Sequence, residues 1–207
     1  MTRTPLRLVV LGDSIAYGTG ALRAEDTLGR RLSAELAADG FDVELRVLAV
    51  PGAVSGDLAA QVRRAEAFDA DLAVVVIGAN DLARFVPPEQ AAAALAAAVT
   101  ALRARGADVV AVPAPDMSMV PVVPPAFRPL VRAACVQLQQ RQAAVVEAAG
   151  GSVAGVAAEV AGAFAADPAM FSSDRFHPSS AGYARIAAAL TPSVLAAARG
   201  RRDEAAA

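Results

Sequence analysis

The chain holds a single histidine, His177, three residues after Asp174 in the stretch Ser173-Asp174-Arg175-Phe176-His177-Pro178. An imidazole with an ordinary pKa of about 6.5 accepts a proton at neutral pH and can return it to a leaving group. Its candidate partner is Ser14, in Gly12-Asp13-Ser14, because a hydroxyl is a weak nucleophile until a neutral imidazole takes its proton. Asp174 can hold the other ring nitrogen, fix the tautomer and stabilise the imidazolium. Pro178 restricts the backbone of His177 and helps end the loop. Acyl transfer through such a serine builds a tetrahedral oxyanion, which needs preorganised donors worth about 3–4 kcal/mol each. Three candidates are present: the Ser14 N–H, the N–H of Gly52, where no Cβ obstructs a substrate, and the side-chain amide of Asn80 in Gly78-Ala79-Asn80-Asp81.

Each residue also has a plainer reading. Ser14 alone reads as a helix cap, Asp13 as a turn or capping residue, and Asn80-Asp81 as a turn. Gly52 suits a Pro-Gly turn after Pro51, with Gly56 as a competing glycine. Asp174 could pair with Arg175, leaving a backbone carbonyl to orient the histidine. What favours the chemical reading is where these residues fall among the elements.

Apolar runs alternate with helical patterns along the chain. Strands are expected at 6–12, 43–50, 71–78 and 108–115, with a short fifth at 152–157. Helices are expected around 25–39, 57–68, from Pro87-Pro88-Glu89 to near Gly106, and through to about Ala149. Ser179-Ser180 should cap a further helix, with Pro192 starting a last turn. Five alternations of strand and helix predict an α/β fold, an open parallel sheet with helices on both faces. Ligands of such sheets lie beyond the carboxyl ends of the strands. Ser14 follows the first strand, Gly52 the second, Asn80 the third, and Asp174 and His177 follow the fifth after a helix.

The length of 207 residues suits one domain, read as 1–199 with a disordered tail over 200–207. Hydrophobic residues make up 56% of the chain, mostly alanine and valine, with a mean hydropathy of +0.43. Yet no run approaches the roughly 18–20 apolar residues of a membrane span, so no stable membrane insertion is expected. The first residues pass straight into a strand without a signal-peptide pattern, which favours a cytoplasmic location. One cysteine, Cys135, excludes an internal disulfide, and one Cys with one His excludes a zinc site of the usual Cys/His kind. A net charge of −2 and 4% aromatic residues argue against nucleic acid as a partner.

The four segments together resemble the SGNH hydrolases, also called GDSL esterases and lipases. Gly12-Asp13-Ser14-Ile15-Ala16-Tyr17-Gly18 looks like the family's first block, Ala49-Val50-Pro51-Gly52 its second, Gly78-Ala79-Asn80-Asp81 its third, and Asp174-Arg175-Phe176-His177-Pro178 its last. They stand in the family's order and span nearly the whole chain. The second block of the family often has an asparagine five residues before its glycine; Val47 stands there. The resemblance implies a flavodoxin-like three-layer α/β/α sandwich with a five-stranded parallel sheet, ester hydrolysis and no cofactor or metal. It assigns Ser14, Asp174 and His177 to catalysis, and Ser14, Gly52 and Asn80 to the oxyanion hole.

The proline- and methionine-rich connection over 114–127 offers Met117, Met119, Val120, Val122, Val123 and Phe127 as walls of an acyl pocket. Packing onto neighbouring helices is the equal alternative. The expected function is hydrolysis of a small or medium carboxylic ester. The competing classes are a binding protein on the same scaffold, an acyltransferase or deacetylase with a specialised substrate, and a nucleotide-binding α/β protein. The last is disfavoured because glycines 12, 18 and 20 lack the G-x-G-x-x-G spacing.

Overall fold

The structure is a computed structural model that describes residues 3–155 and 157–206. Its centre is a parallel sheet of β1 (Thr4–Gly12), β2 (Phe41–Val47), β3 (Leu72–Val76), β4 (Asp108–Val112) and β5 (Ser152–Val153), in the order β2-β1-β3-β4-β5. Every residue of β3 is buried, as an apolar strand covered on both faces requires. Alternate residues of the strands then separate into two cores. Leu8, Val10, Val74 and Val110 pack against α2 (Leu28–Ala38) and α8 (Ser180–Ala206). Val9, Leu11, Val75 and Val109 pack against α3 (Leu58–Glu66) and α5 (Pro88–Ala104), with Val146 of α6 (Arg128–Ala148). The result is the expected three-layer α/β/α sandwich with flavodoxin-like strand order. Three further helices, α1 (Ser14–Tyr17), α4 (Ala79–Ala83) and α7 (Ala157–Ala166), lie on the connections that follow β1, β3 and β5.

Gly12 ends β1 so close to β3 that a Cβ there would stand 1.8 Å from the Val76 carbonyl oxygen, and its φ is +133°. No other residue fits that approach. It lets β1 deliver Asp13 and Ser14 directly to the edge of the sheet.

Three expectations are corrected. The fifth strand, expected over 152–157, is only Ser152–Val153, paired with Val110 and Ala111. The chain has entered α7 by Ala157, and residue 156 lies outside the described residues. Pro192 does not begin a separate turn but sits inside α8. It removes the backbone donor to the Ala188 carbonyl, a loss the long alanine-rich helix absorbs. The tail over 200–207 was expected to be disordered, but α8 continues to Ala206, with Ala207 outside the described residues. Contacts distant in sequence hold it. Arg199 pairs with Asp39, Arg201 donates to the Gly106 carbonyl (2.7 Å) and to Asp71 (3.0 Å), and Arg202 lies over the Phe41 ring at 5.1 Å.

Candidate active site

All the residues singled out for acyl-transfer chemistry lie on loops or helix starts beyond the carboxyl ends of the strands. Asp13 caps α1, its Oδ1 accepting the Ile15 N–H at 2.9 Å, and Ser14 is the first helical residue. Ser14 is 7% exposed. Its Oγ lies 3.1 Å from His177 Nε2, and His177 Nδ1 lies 2.6 Å from Asp174 Oδ2.

Asp174 is held by the loop it belongs to. Its Oδ1 accepts the Ser172 hydroxyl (2.7 Å) and the N–H groups of Phe176 and His177 (2.9 Å each). The loop closes through Ser172 N–H to the His177 carbonyl (2.8 Å), with Arg175 turned left-handed at φ +57°. Desolvation raises the Asp174 pKa, but these hydrogen bonds, led by the one from the His177 ring, outweigh it and hold the carboxyl well below its usual range. None of the bonds comes from Arg175, so the alternative pairing is absent. A carboxylate that favours its ionised form, facing Nδ1, selects the tautomer whose free Nε2 faces the serine.

Gly52 occupies the turn Val50-Pro51-Gly52-Ala53, closed by Ala53 N–H to the Val50 carbonyl at 3.0 Å. Its φ of +84° is the value a type II turn requires at that position. The turn's hydrogen bond does not use the Gly52 N–H, so the turn reading and the donor reading are compatible. Asn80 lies in α4 and spends one amide hydrogen on the Ala53 carbonyl (3.0 Å), which ties it to the Gly52 loop and leaves the second hydrogen. Asp81 strengthens that tie. Both its oxygens accept the Ser55 N–H at 3.0 Å, and Oδ2 also takes the Ser55 hydroxyl at 3.1 Å. Burial raises the Asp81 pKa, against the pull of those bonds.

Two glutamines hold the strand ends. Gln61 bonds both the N–H (2.7 Å) and the carbonyl (2.8 Å) of Gly12. Gln142 accepts from Ala114 N–H (2.8 Å) and donates to the Ile77 carbonyl (3.0 Å). Both were missed as site residues in the sequence. A signal existed: Gln61 falls on the buried face of α3 with Leu58, Val62 and Ala65, and Gln142 on that of α6 with Cys135, Leu138 and Val146. A polar residue on an apolar face must have a buried partner.

Asp13 is the one group here that is poorly served. It is 1% exposed, and its Oδ2 accepts no hydrogen bond from the described residues. Burial pushes its pKa up from 3.8 to about 6; the Ile15 N–H works against this and the Asp81 charge adds to it. A carboxyl that holds its proton more tightly when folded stabilises the fold fully below 3.8. That contribution is lost as pH rises through about 6, for a total of about 3 kcal/mol. Asp13→Asn keeps the cap and removes the charge. It is expected to raise unfolding free energy by about 1–2 kcal/mol at pH 8 and not at pH 4, measured by urea denaturation. An equal gain at both pH values would place the source elsewhere than in the buried charge.

Beside Ser14 and His177 lies an apolar cavity of about 110 Å³. Met117, Met119 and Val120 line it, as do Ile15, Val112 and Ile186. Phe127 does not: it is 58% exposed just before α6, and neither Val122 nor Val123 lines the cavity. The wall expected from Phe127 comes instead from Val160 and Phe164 of α7 and from Phe171 and Phe176. The rings of Phe164 and Phe171 meet edge to face at 5.0 Å. Among the described residues no helix is long and apolar enough to cross a membrane.

Comparison with known proteins gives a consistent picture. Residues 10–185 match the GDSL-like lipase/acylhydrolase family. The chain is 37% identical over 186 residues to the GDSL-like esterase Rv1075c of Mycobacterium tuberculosis, a match covering 88% of this chain. It spans only 59% of the length of that relative. In fold it is similar to the crystal structure of TesA (24% identity, TM-score 0.71, covering 90% of this chain and 96% of that one). It is also similar to a catalytic mutant of Axe2, an acetylxylan esterase from Geobacillus stearothermophilus (18% identity, TM-score 0.76, covering 94% and 96%).

Proposed function

Because the chain belongs to the GDSL-like lipase/acylhydrolase family, whose members hydrolyse ester bonds, we propose that it is a serine esterase working through an acyl-enzyme on Ser14. The observation that carries this reading is the hydrogen-bonded line from Asp174 through His177 to Ser14, at 2.6 and 3.1 Å. His177 Nε2 takes the Ser14 proton as Oγ attacks the ester carbonyl. The oxyanion is met by the N–H groups of Ser14 and Gly52 and by the free amide hydrogen of Asn80. The imidazolium, stabilised by Asp174, protonates the leaving alcohol. Water then enters, loses its proton to His177 and releases the acid from Ser14.

The acyl chain goes into the apolar cavity. A cavity of about 150 Å³ accommodates benzene, so 110 Å³ suits an acyl chain of about four to six carbons. Each methylene that enters is worth about 0.8 kcal/mol, or about fourfold in kcat/KM, until the space is filled. Hydrolysis of p-nitrophenyl esters should therefore rise steeply from acetate to butyrate and level off or fall beyond hexanoate. Replacing Met117 and Met119 with serine should lower the hexanoate rate about tenfold more than the acetate rate. A chain-length profile indifferent to that change would remove the cavity from acyl binding. Folded protein that turns over no ester of any length would overturn the esterase reading.

A further inference from the structure

The proposed mechanism gives no role to Arg84. Arg84 follows the last residue of α4, four positions after Asn80, and its N–H donates to the Asn80 carbonyl at 2.9 Å. Its guanidinium reaches back to the Gly52 loop: a Cβ built on Gly52 would lie 3.5 Å from Arg84 Nη2. The carboxylates nearest in the sequence of the two loops are engaged elsewhere. Asp57 accepts the Val54 N–H, Asp81 serves Ser55, and Glu89 pairs with Arg141 at 2.7 Å. Arg84 makes no ion pair with the described residues.

Its place is fixed by the end of the helix. Phe85 N–H donates to the Leu82 carbonyl and Val86 N–H to the Asp81 carbonyl, a helix-ending pattern that usually puts glycine where Phe85 stands. Phe85 takes the left-handed conformation (φ +54°) and is 91% exposed. A non-glycine residue held there is strained, and such strain gathers at functional sites. The closed turn fixes the Arg84 backbone at the end of α4, from which its exposed side chain extends to Gly52.

The sheet order separates the two sides of the site. Ser14 follows β1. The apolar cavity lies toward β4 and α7, whereas Gly52 follows β2, on the other side of β1, and the Arg84 guanidinium reaches it from the end of α4. With the acyl chain in the cavity, the alcohol portion of the ester extends along the other side. We propose that Arg84 binds an anionic group, carboxylate or phosphate, on the alcohol portion and so selects esters of anionic alcohols. A guanidinium presents a planar fork of donors that matches either oxyanion. The inference rests on the esterase reading for its direction along the ester.

The test uses three butyrate esters: 4-butyryloxybenzoate, its neutral methyl ester, and 4-butyryloxyphenyl phosphate. The quantity read is kcat/KM for each anionic ester divided by that for the neutral one. This ratio should fall about five- to tenfold from wild type to Arg84→Gln, be partly kept in Arg84→Lys, and shrink as salt is added. The larger of the two anionic ratios names carboxylate or phosphate as the preferred group. An equal ratio in wild type and Arg84→Gln would overturn the proposal, even if both rates fell together, because a general field on the oxyanion moves all three esters alike. If wild type hydrolyses none of them, the esterase reading fails separately, and calorimetry with 4-hydroxybenzoate and 4-hydroxyphenyl phosphate decides. Binding weakened in Arg84→Gln by the same factor supports the anion site; equal or absent binding overturns it.

Discussion

Replacing Ser14 with alanine is expected to lower turnover of p-nitrophenyl butyrate by a factor of about 10⁴ or more, while the melting temperature moves by only a few degrees. The asymmetry follows from what the hydroxyl does. Its partner in the structure is His177 Nε2 at 3.1 Å, and the backbone around it is held by other groups. Asp13 caps the helix, Gln61 grips Gly12, and the buried Tyr183 hydroxyl donates to the Thr19 carbonyl at 2.8 Å. Alanine keeps the N–H proposed to meet the oxyanion and fits without crowding, so the fold loses about one modest hydrogen bond. In the proposed mechanism the reaction loses its nucleophile, and only positioning and oxyanion stabilisation are left. Kinetics beside thermal melting followed by circular dichroism measures both, and labelling by a fluorophosphonate should disappear in the variant. Turnover retained by the alanine protein would take Ser14 out of the mechanism.

Asp174→Asn should cost about 10³–10⁴ in kcat with little change in KM. The amide oxygen can replace Oδ1 and keep the bonds from Ser172, Phe176 and His177 that shape the loop. Its NH₂ then stands where Oδ2 accepted from Nδ1. Two donors cannot face each other at 2.6 Å, so the ring is driven to the tautomer with hydrogen on Nε2. That tautomer cannot accept the serine proton. Asp174→Ala, which also removes the loop bonds, should lower the melting temperature as well. If Asn and wild type turned over equally, Asp174 would be an organiser of the loop with no part in proton transfer.

The parts of the molecule visible in the sequence are those whose chemistry is local or whose periodicity is strong. The central strands are apolar runs and β2 alternates, and the polar segments just beyond their ends hold the only asparagine and the only histidine of the chain, so Asn80 and His177 stand out and point to Ser14 and Asp174. The structure brings Ser14, His177 and Asp174 into one hydrogen-bonded line and joins Asn80 to the Gly52 loop. What could not be read depends on partners remote in sequence. Gln61 and Gln142 serve backbone groups 49 and 28 or more positions away. The last helix is held by Asp39 and Asp71, which lie 160 and 130 positions from their arginines. The outer wall of the cavity comes from α7, an alanine-rich segment whose facing is set by tertiary packing, while Phe127, the more conspicuous residue, points to water.

The solitude of His177 has a spectroscopic consequence. A chain with one imidazole has one set of ring signals, so a nitrogen-edited spectrum needs no selective labelling and no assignment by elimination. Both ring nitrogens are engaged, one by a carboxylate at 2.6 Å and the other by the serine hydroxyl. The proton toward Asp174 therefore belongs in the far-downfield region where shielding is weakest, well apart from the amides. In the proposed mechanism, acylation of Ser14 and departure of the alcohol each change the ring's hydrogen-bonding partner. A single resonance can thus follow the state of the whole site in real time, in the unmodified chain.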